Sequence, residues 1–351
     1  MIKKIFDKKH IKRTTTYLIV LFAYALIEIL MHTVGIKRSF QSILVPVCCY
    51  IVAALSLNLC VGFSGELSLG HAGFMAIGAF TGIIISGILG FYLESEILRL
   101  VIAIVVGGII AGICGLLISI PVLKLQGDYL AIVTLAFGQI IKSLLNNIYL
   151  AFDSEGLKFS FVDNTIEMLQ GGKMLLSGPM GATDTARISN FTTGLVLILL
   201  TIVVIYNLVY SKYGRAIMAC RDNRIAAESI GVSISRTKTL AFVTSSILTG
   251  MAGALYALNY STLLPTKFDF NTSILILVYV VFGGLGNMSG TVIAASLLYI
   301  LPELLRSLQD YRMLIYAVVL ILIMLITNNE RLKTKFENIK KTVFKKGAKH
   351  E

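Results

Sequence analysis

SKYGRAIMACRDNRIAAESIGVSISRTK, residues 211–238, is the only long charged, helix-compatible segment in the interior of a chain that is otherwise mostly apolar. It carries Lys212, Arg215, Arg221, Arg224, Arg236 and Lys238 against Asp222 and Glu228, and apolar runs flank it on both sides. Short Lys/Arg-rich loops between membrane spans stay in the cytoplasm, so this segment orients the rest of the chain. It is also a surface on which a soluble partner can push or pull. Asp222 or Asn223 can cap a short helix here, Ala226 and Ala227 favour that helix, and Gly231 can end it. The alternative is a basic loop that only enforces topology.

The rest of the composition agrees with a membrane setting. Of 351 residues, 56% are hydrophobic and 14% charged, and the mean hydropathy is +0.83. Soluble domains carry about 25% charged residues. The expected fold is therefore all-α, a polytopic helical membrane bundle without a separate soluble module, since no polar stretch is long enough to bury its own core. The net charge of +12 does not indicate nucleic acid, because its cations lie at the two ends and in the 211–238 loop, which is the positive-inside pattern. Cys48, Cys49, Cys60, Cys114 and Cys220 form no C-x-x-C pair and read as small buried hydrophobes. With no Trp in the chain, Tyr must supply the interfacial belt.

A span needs about 20 residues to cross roughly 30 Å of hydrocarbon. The apolar runs give ten candidates, at 17–34, 42–61, 74–93, 100–123, 129–150, 191–210, 239–262, 271–282, 291–305 and 312–327. Residues 1–16 form a basic tail with Lys3, Lys4, Lys8, Lys9, Lys12 and Arg13, and 328–351 form another, with 17–327 as the membrane domain. Leu332, Phe336, Ile339 and Val343 recur at helical spacing in the second tail, which suits a helix on the inner membrane surface or a solvated tail. The 151–190 loop carries Asp153, Glu155, Asp163, Glu167 and Asp184 against Lys158, Lys173 and Arg187 and is expected outside. Ten crossings then place both termini and the 211–238 loop inside, with Lys37 and Arg38 as a minor exception. The basic N-terminus followed by an apolar run reads as an uncleaved first span, interrupted by Glu28.

Two glycine-rich breaks interrupt the apolar pattern. The first, GFSGELSLGHAG (62–73), holds four glycines with Glu66 and His71. Each Gly costs a helix about 1 kcal/mol relative to Ala, so continuous helix is not expected. Unwound backbone at membrane depth is tolerated only where it is buried in protein or lines a watery path. Candidate gate residues are Asn58, Ser64, Gly65, Glu66, Ser68, Gly70 and His71. The other reading is a loop followed by tight glycine packing. The second break, GGLGNMSG (283–290), adds Gly283, Gly284 and Gly286. Paired short, Gly-interrupted segments point to a transporter core. KLQGDY (124–129) reads as a connector, with a turn at Gly127 and Asp128 as a cap. An intramembrane charge must face protein or water, which makes Glu28, Glu66 and His71 the candidates if an ion gradient drives the protein. The chain contains no P-loop, no H-E-x-x-H, no G-x-S-x-G and no Cys/His metal spacing, so no enzyme activity, cofactor or metal is expected.

Four stretches, in this order, resemble the permease subunits of bacterial branched-chain amino acid importers of the ABC type. They are LNLCVGFSGELSLGHAGFMAIGAF (57–80), QGDYLAIVTLAFGQIIKSLLNN (126–147), GRAIMACRDNRIAAESIGVSISRTKTLAF (214–242) with GMAGALYA (250–257), and VVFGGLGNMSG (280–290). The resemblance implies a plasma-membrane permease, without cofactor of its own, that pairs with a second permease, two ATPase subunits that bind ATP, and an external substrate-binding protein. It implies a coupling helix built on Gly214, Arg215, Arg221, Asp222, Ala226, Ala227, Glu228 and Gly231. Ile225 stands where an acidic residue usually leads that motif. Glu66 stands where the family often has an uncharged residue, and 151–190 lacks the usual Gly-rich stretch ending in G-I-P. Urea or short-amide importers share much of this pattern. Sugar importers of the wider superfamily usually show D-L-S-V-G where this chain has ELSLG.

Overall fold

The computed structural model describes residues 14–29, 38–123, 125, 127–153, 156–161 and 172–305, with single positions at 314, 317, 318 and 321. Most of the basic N-terminal tail, the 312–327 span and the C-terminal tail lie outside the described residues, as do Lys37, Lys124 and Gln126. The chain divides into two compact units, Met1–Ser296 and Leu297–Glu351. In the first unit the helices are α1 (Thr14–Ile29), α2 (Arg38–Asn58), α3 (His71–Leu89), α4 (Glu96–Val122), α5 (Asp128–Asn146), α6 (Phe191–Tyr210), α7 (Lys212–Asp222), α8 (Arg224–Ser229), α9 (Ile234–Ala257) and α10 (Phe270–Gly283). The boundary between the units falls within α11 (Met288–Leu304). Of the second unit, only positions in 297–305 and the four single residues are described.

Among the described residues, seven helices are long and apolar enough to cross a membrane, and α1 and α11 are shorter apolar helices. The expected all-α polytopic membrane protein is therefore observed. Its outer surface explains why. Along α4, Ile97, Val101, Val105, Ile109, Ile113, Leu117 and Ile120 are all exposed, at spacings of three or four. A water-facing helix places charges there, so this stripe is matched to lipid.

The opposite face of α4 is built of small residues. Gly107, Ala111 and Gly115 recur every fourth position, as do Gly78 and Gly82 on α3 and Ser246, Gly250 and Ala254 on α9. A Cβ at Gly78 would collide with the Gly250 carbonyl, and one at Gly107 would lie 2.9 Å from the Gly78 carbonyl oxygen. Small residues spaced by four let membrane helices approach until their backbones touch. Around this seam Phe74 meets Phe242 edge-on, with ring centroids 5.5 Å apart, and tilts against Phe137 at 5.2 Å. α1 lies along α6, where Thr16 hydrogen-bonds Tyr206 at 2.9 Å and Tyr24 stacks on Phe191.

Several boundaries differ from the apolar runs. The 129–150 run ends as helix at Asn146, because Tyr149 and Leu150 enter a sheet. That sheet has the order β2-β1-β3, from β1 (Tyr149–Asp153), β2 (Gly156–Ser160) and β3 (Lys173–Ser177), all antiparallel. It occupies much of the 151–190 loop and was not signalled by the apolar pattern. An Ala182–Leu263 bridge ties the following segment to the chain beyond α9. α9 starts at Ile234, five residues before its apolar run, so Arg236 and Lys238 belong to its first turns. Asp128 does not cap α5 with its side chain. Gly127, at φ +59°, takes the cap position and Asp128 opens the first turn, where a carboxylate complements the helix dipole.

Candidate functional site

Both glycine breaks lie at the end of the first unit that carries residues 211–233, and there they touch. α2 loosens into a π-turn over Leu59–Phe63 and then loses regular structure over 64–70, until α3 starts at His71. The break is thus shorter than 62–73 and sits between two helices. α10 stops at Gly283, Gly284 and Gly286 adopt φ of +88° and +75°, and α11 starts at Met288. A side chain at either position would be strained.

Asn58 joins the breaks. Fully buried, it donates from Nδ2 to Thr291 Oγ1 (2.8 Å) and accepts at Oδ1 from the Gly286 N–H (2.8 Å). Gly62 leaves the room for this: a Cβ there would collide with Asn58 Oδ1 and the Gly286 nitrogen. Gly283 and Gly290 close on each other in the same way.

The basic loop grips the first break from two sides. Ser211 Oγ caps α7 by accepting from the Gly214 N–H (3.2 Å), and Asn223 Oδ1 caps α8 by accepting from the Ala226 N–H (3.0 Å). Asn223, and not Asp222, is therefore the cap. Gly231, at φ +85°, ends the turn after α8. Arg221 donates from Nη1 to the Gly62 carbonyl (2.9 Å), while Nε and Nη2 hold Asp222 Oδ1 (3.0 and 2.8 Å). The Arg221 stem lies where a Cβ on Gly65 (φ +73°) would point. On the other side Lys238 of α9 forms an ion pair with Glu66, both side chains largely buried. Glu66 and His71 do not bond each other.

The remainder of the first break is fixed by hydroxyls of three helices. His71 contacts Ser245 Oγ through Nε2 (2.8 Å) and Ser68 Oγ through Nδ1 (3.2 Å). Ser245 donates its own proton to the Ser56 carbonyl (2.6 Å), so it accepts from His71. This assigns the proton to Nε2 and makes Ser68 the donor to Nδ1. The Leu69 N–H donates to Thr134 Oγ1 on α5 (3.0 Å), and the Ala72 N–H to Ser273 Oγ on α10 (3.1 Å). Gly70 lies against the Thr134 carbonyl. Ser64 Oγ is buried and has no hydrogen-bond partner among the described residues.

Not every motif residue faces outward. Ala227 is buried with Cys220 and Ile234 inside the loop's own small core. Burial also pushes the Cys220 thiol above its ordinary value. The exposed face of α8 carries Ile225, at 80% exposure, with Ala226 and Glu228, and Ile230 follows at 76%. Gly214 packs against the last carbonyls of α6, and Arg215 lines a cavity of about 340 Å³ with Phe63, Met218 and Gly286. Sequence reasoning missed Lys238, Thr291, Thr134 and Ser245 as members of this site. Each joins it across at least 65 residues of chain, and no local pattern announces that. Among the described residues no group of His, Cys, Asp or Glu could hold a metal ion.

A helical multi-pass membrane protein whose broken helices meet beneath a structured loop belongs to the class of membrane permeases. Residues 39–326 match the family described as branched-chain amino acid transport system / permease component, and the chain belongs to that family. It is 35% identical over 291 residues to the high-affinity branched-chain amino acid transport system permease protein LivM of Salmonella typhimurium, covering 79% of this chain and 66% of that relative. The chain thus spans just under two thirds of the length of that curated relative. It is also similar to the fructose import permease protein FruG of Bifidobacterium longum (25% over 271 residues; 74% of this chain, 70% of FruG). A shorter match joins it to the permease protein LivH of Salmonella typhimurium (24% over 179 residues; 47% and 58%). No solved structure matches it.

Proposed function

We propose that this chain is the membrane-spanning subunit of an ATP-driven importer for branched-chain or other hydrophobic amino acids. Residues 211–238 couple it to separate ATPase subunits, a second permease completes the pore, and an external binding protein delivers the substrate. The observation that carries the reading is the Arg221 bond to Gly62, continued through Asn58 to Gly286 and Thr291. Movement of α7 and α8 therefore acts on the first break through Arg221 and reaches the second through Asn58. Ile225 and Ile230 supply apolar anchors for a partner, in a loop whose basic residues suit an acidic rim.

The proposed topology is ten spans with both termini and the 211–238 loop inside, in the plasma membrane of a bacterium. It is supported by α1, which starts beside Tyr206 at the end of α6 nearest that loop. Amino acids are favoured as substrate by the 35% identity to a LivM, against 25% to FruG. An ion-coupled carrier would need a titrating charge. Glu66 is neutralised by Lys238 and His71 is held between two hydroxyls, which argues against both as carriers.

The test is a mild-detergent pull-down of the tagged chain from its native membrane, followed by leucine uptake in cells with and without it. Two P-loop ATPases and a second permease are expected in the eluate, with uptake dependent on ATP. Recovery of the chain alone, from a preparation that keeps other complexes intact, would overturn the proposal.

A further inference from the structure

At the opposite end of the first unit lies a second cavity, of about 260 Å³, between the end of α3, the first turn of α4, β3 and the 183–186 segment. Arg99 of α4 reaches into its wall. Its Nε is buried, and among the described residues it has no hydrogen-bond partner and the guanidinium makes no ion pair. A guanidinium stays charged at any physiological pH, and a buried donor left unmade is costly. Such a group is matched by an incoming anion, best a carboxylate that accepts from its fork of N–H groups. Ile83, Leu175 and Leu258 give the cavity an apolar wall, and Ser86 and Asp184 add polar groups. The volume lies below the about 300–1,000 Å³ of drug-sized sites and suits one small molecule.

We infer that this cavity is a staging subsite for the substrate, with Arg99 receiving the carboxylate of an aliphatic amino acid and the Ile83–Leu175–Leu258 wall receiving its side chain. This rests on the amino-acid import reading above, in which this end faces outward. The subsite then selects for the free carboxylate before the substrate reaches the glycine breaks.

The experiment uses the full chain in nanodiscs of phosphatidylcholine, with radiolabelled L-leucine as probe. Saturable binding is expected, displaced by isoleucine and not by leucinamide, which lacks the carboxylate. Arg99→Gln should weaken binding about tenfold or more, and Arg99→Lys less. In cells Arg99→Gln should raise the KM of leucine uptake more than it lowers the maximal rate. Equal competition by leucinamide, or no saturable binding to the wild type, overturns the inference without needing a variant that folds. So does an anionic phospholipid that co-purifies with the wild type, is absent from Arg99→Gln and is not displaced by leucine. Absent wild-type uptake of leucine removes the amino-acid reading and this subsite together. Normal uptake with Arg99→Gln unchanged in binding and KM removes the subsite alone.

Discussion

Two regions of this molecule are rich in glycine and use it in opposite ways. In the α3–α4–α9 seam, Gly78, Gly82, Gly107 and Gly250 sit inside unbroken helices, and their missing side chains let backbones touch. At the basic-loop end, Gly65, Gly284 and Gly286 adopt positive φ, and their freedom lets the chain leave a helix and bond elsewhere. Glycine content alone does not locate a gate. What separates the two is where the neighbouring backbone N–H and C=O groups go: along the helix axis in the seam, and to Asn58 and Arg221 in the break.

Substitutions can break this contrast. The largest effect is expected in the seam. Gly78→Leu places a side chain into the Gly250 backbone, where overpacking costs typically about 1–3 kcal/mol, and rigid backbone leaves it little room to relax. The variant should be lost from the membrane fraction on an immunoblot. Next come Arg221→Glu and Gly231→Pro, which should insert normally and abolish uptake. Normal uptake in both would remove the coupling role of the loop. Asn58→Leu leaves the Gly286 N–H without its acceptor and removes the donor to the Thr291 hydroxyl, which keeps its bond to the Asn287 carbonyl. At about 1–3 kcal/mol per orphaned group, a clear fall in Tm of the purified protein is expected, together with impaired uptake. Glu66→Gln should slow uptake several-fold, and Lys238→Met in the same chain should restore part of it, since a buried unpaired ammonium costs more than a buried neutral pair. Additive losses in the double variant would argue that the two residues act separately. The smallest effect is a reporter: Cys220 should react slowly with a soluble maleimide at pH 7, because burial both covers and protonates it. Gly231→Pro should speed that labelling.

How much of this was legible beforehand differs between the same regions. The apolar runs located the helices because hydrocarbon demands about 20 apolar residues per crossing. The two breaks were visible because glycines crowd into GFSGELSLGHAG and GGLGNMSG, although helix runs into both ends of each stretch. Their contact was not visible, since Asn58 and Gly286 are 228 residues apart and an Asn in an apolar run carries no address. The α3–α4–α9 seam does carry a sequence signal, the every-fourth-residue repeat at Gly107, Ala111 and Gly115, but the apolar pattern that locates spans is blind to it. The sheet over 149–177 was hidden because its alternating pattern is short and mixed with charges. Ala227 misled for a simpler reason: a small residue on a short helix suits a groove in a partner and the inside of its own loop equally well, and here the loop uses it.

The loop holds the segment Gly62–Glu66 at two points, Arg221 before α8 and Lys238 after it. A single tether would let a load on α8 be absorbed by swivelling about the bond. In the proposed coupling, two tethers, one before and one after the loaded helix in the chain, remove that swivel, so a push or pull becomes a torque on the segment they hold. The stroke needed at α8 is then set by the lever arm of α7 and the first turns of α9, and stiffening either helix should shorten it.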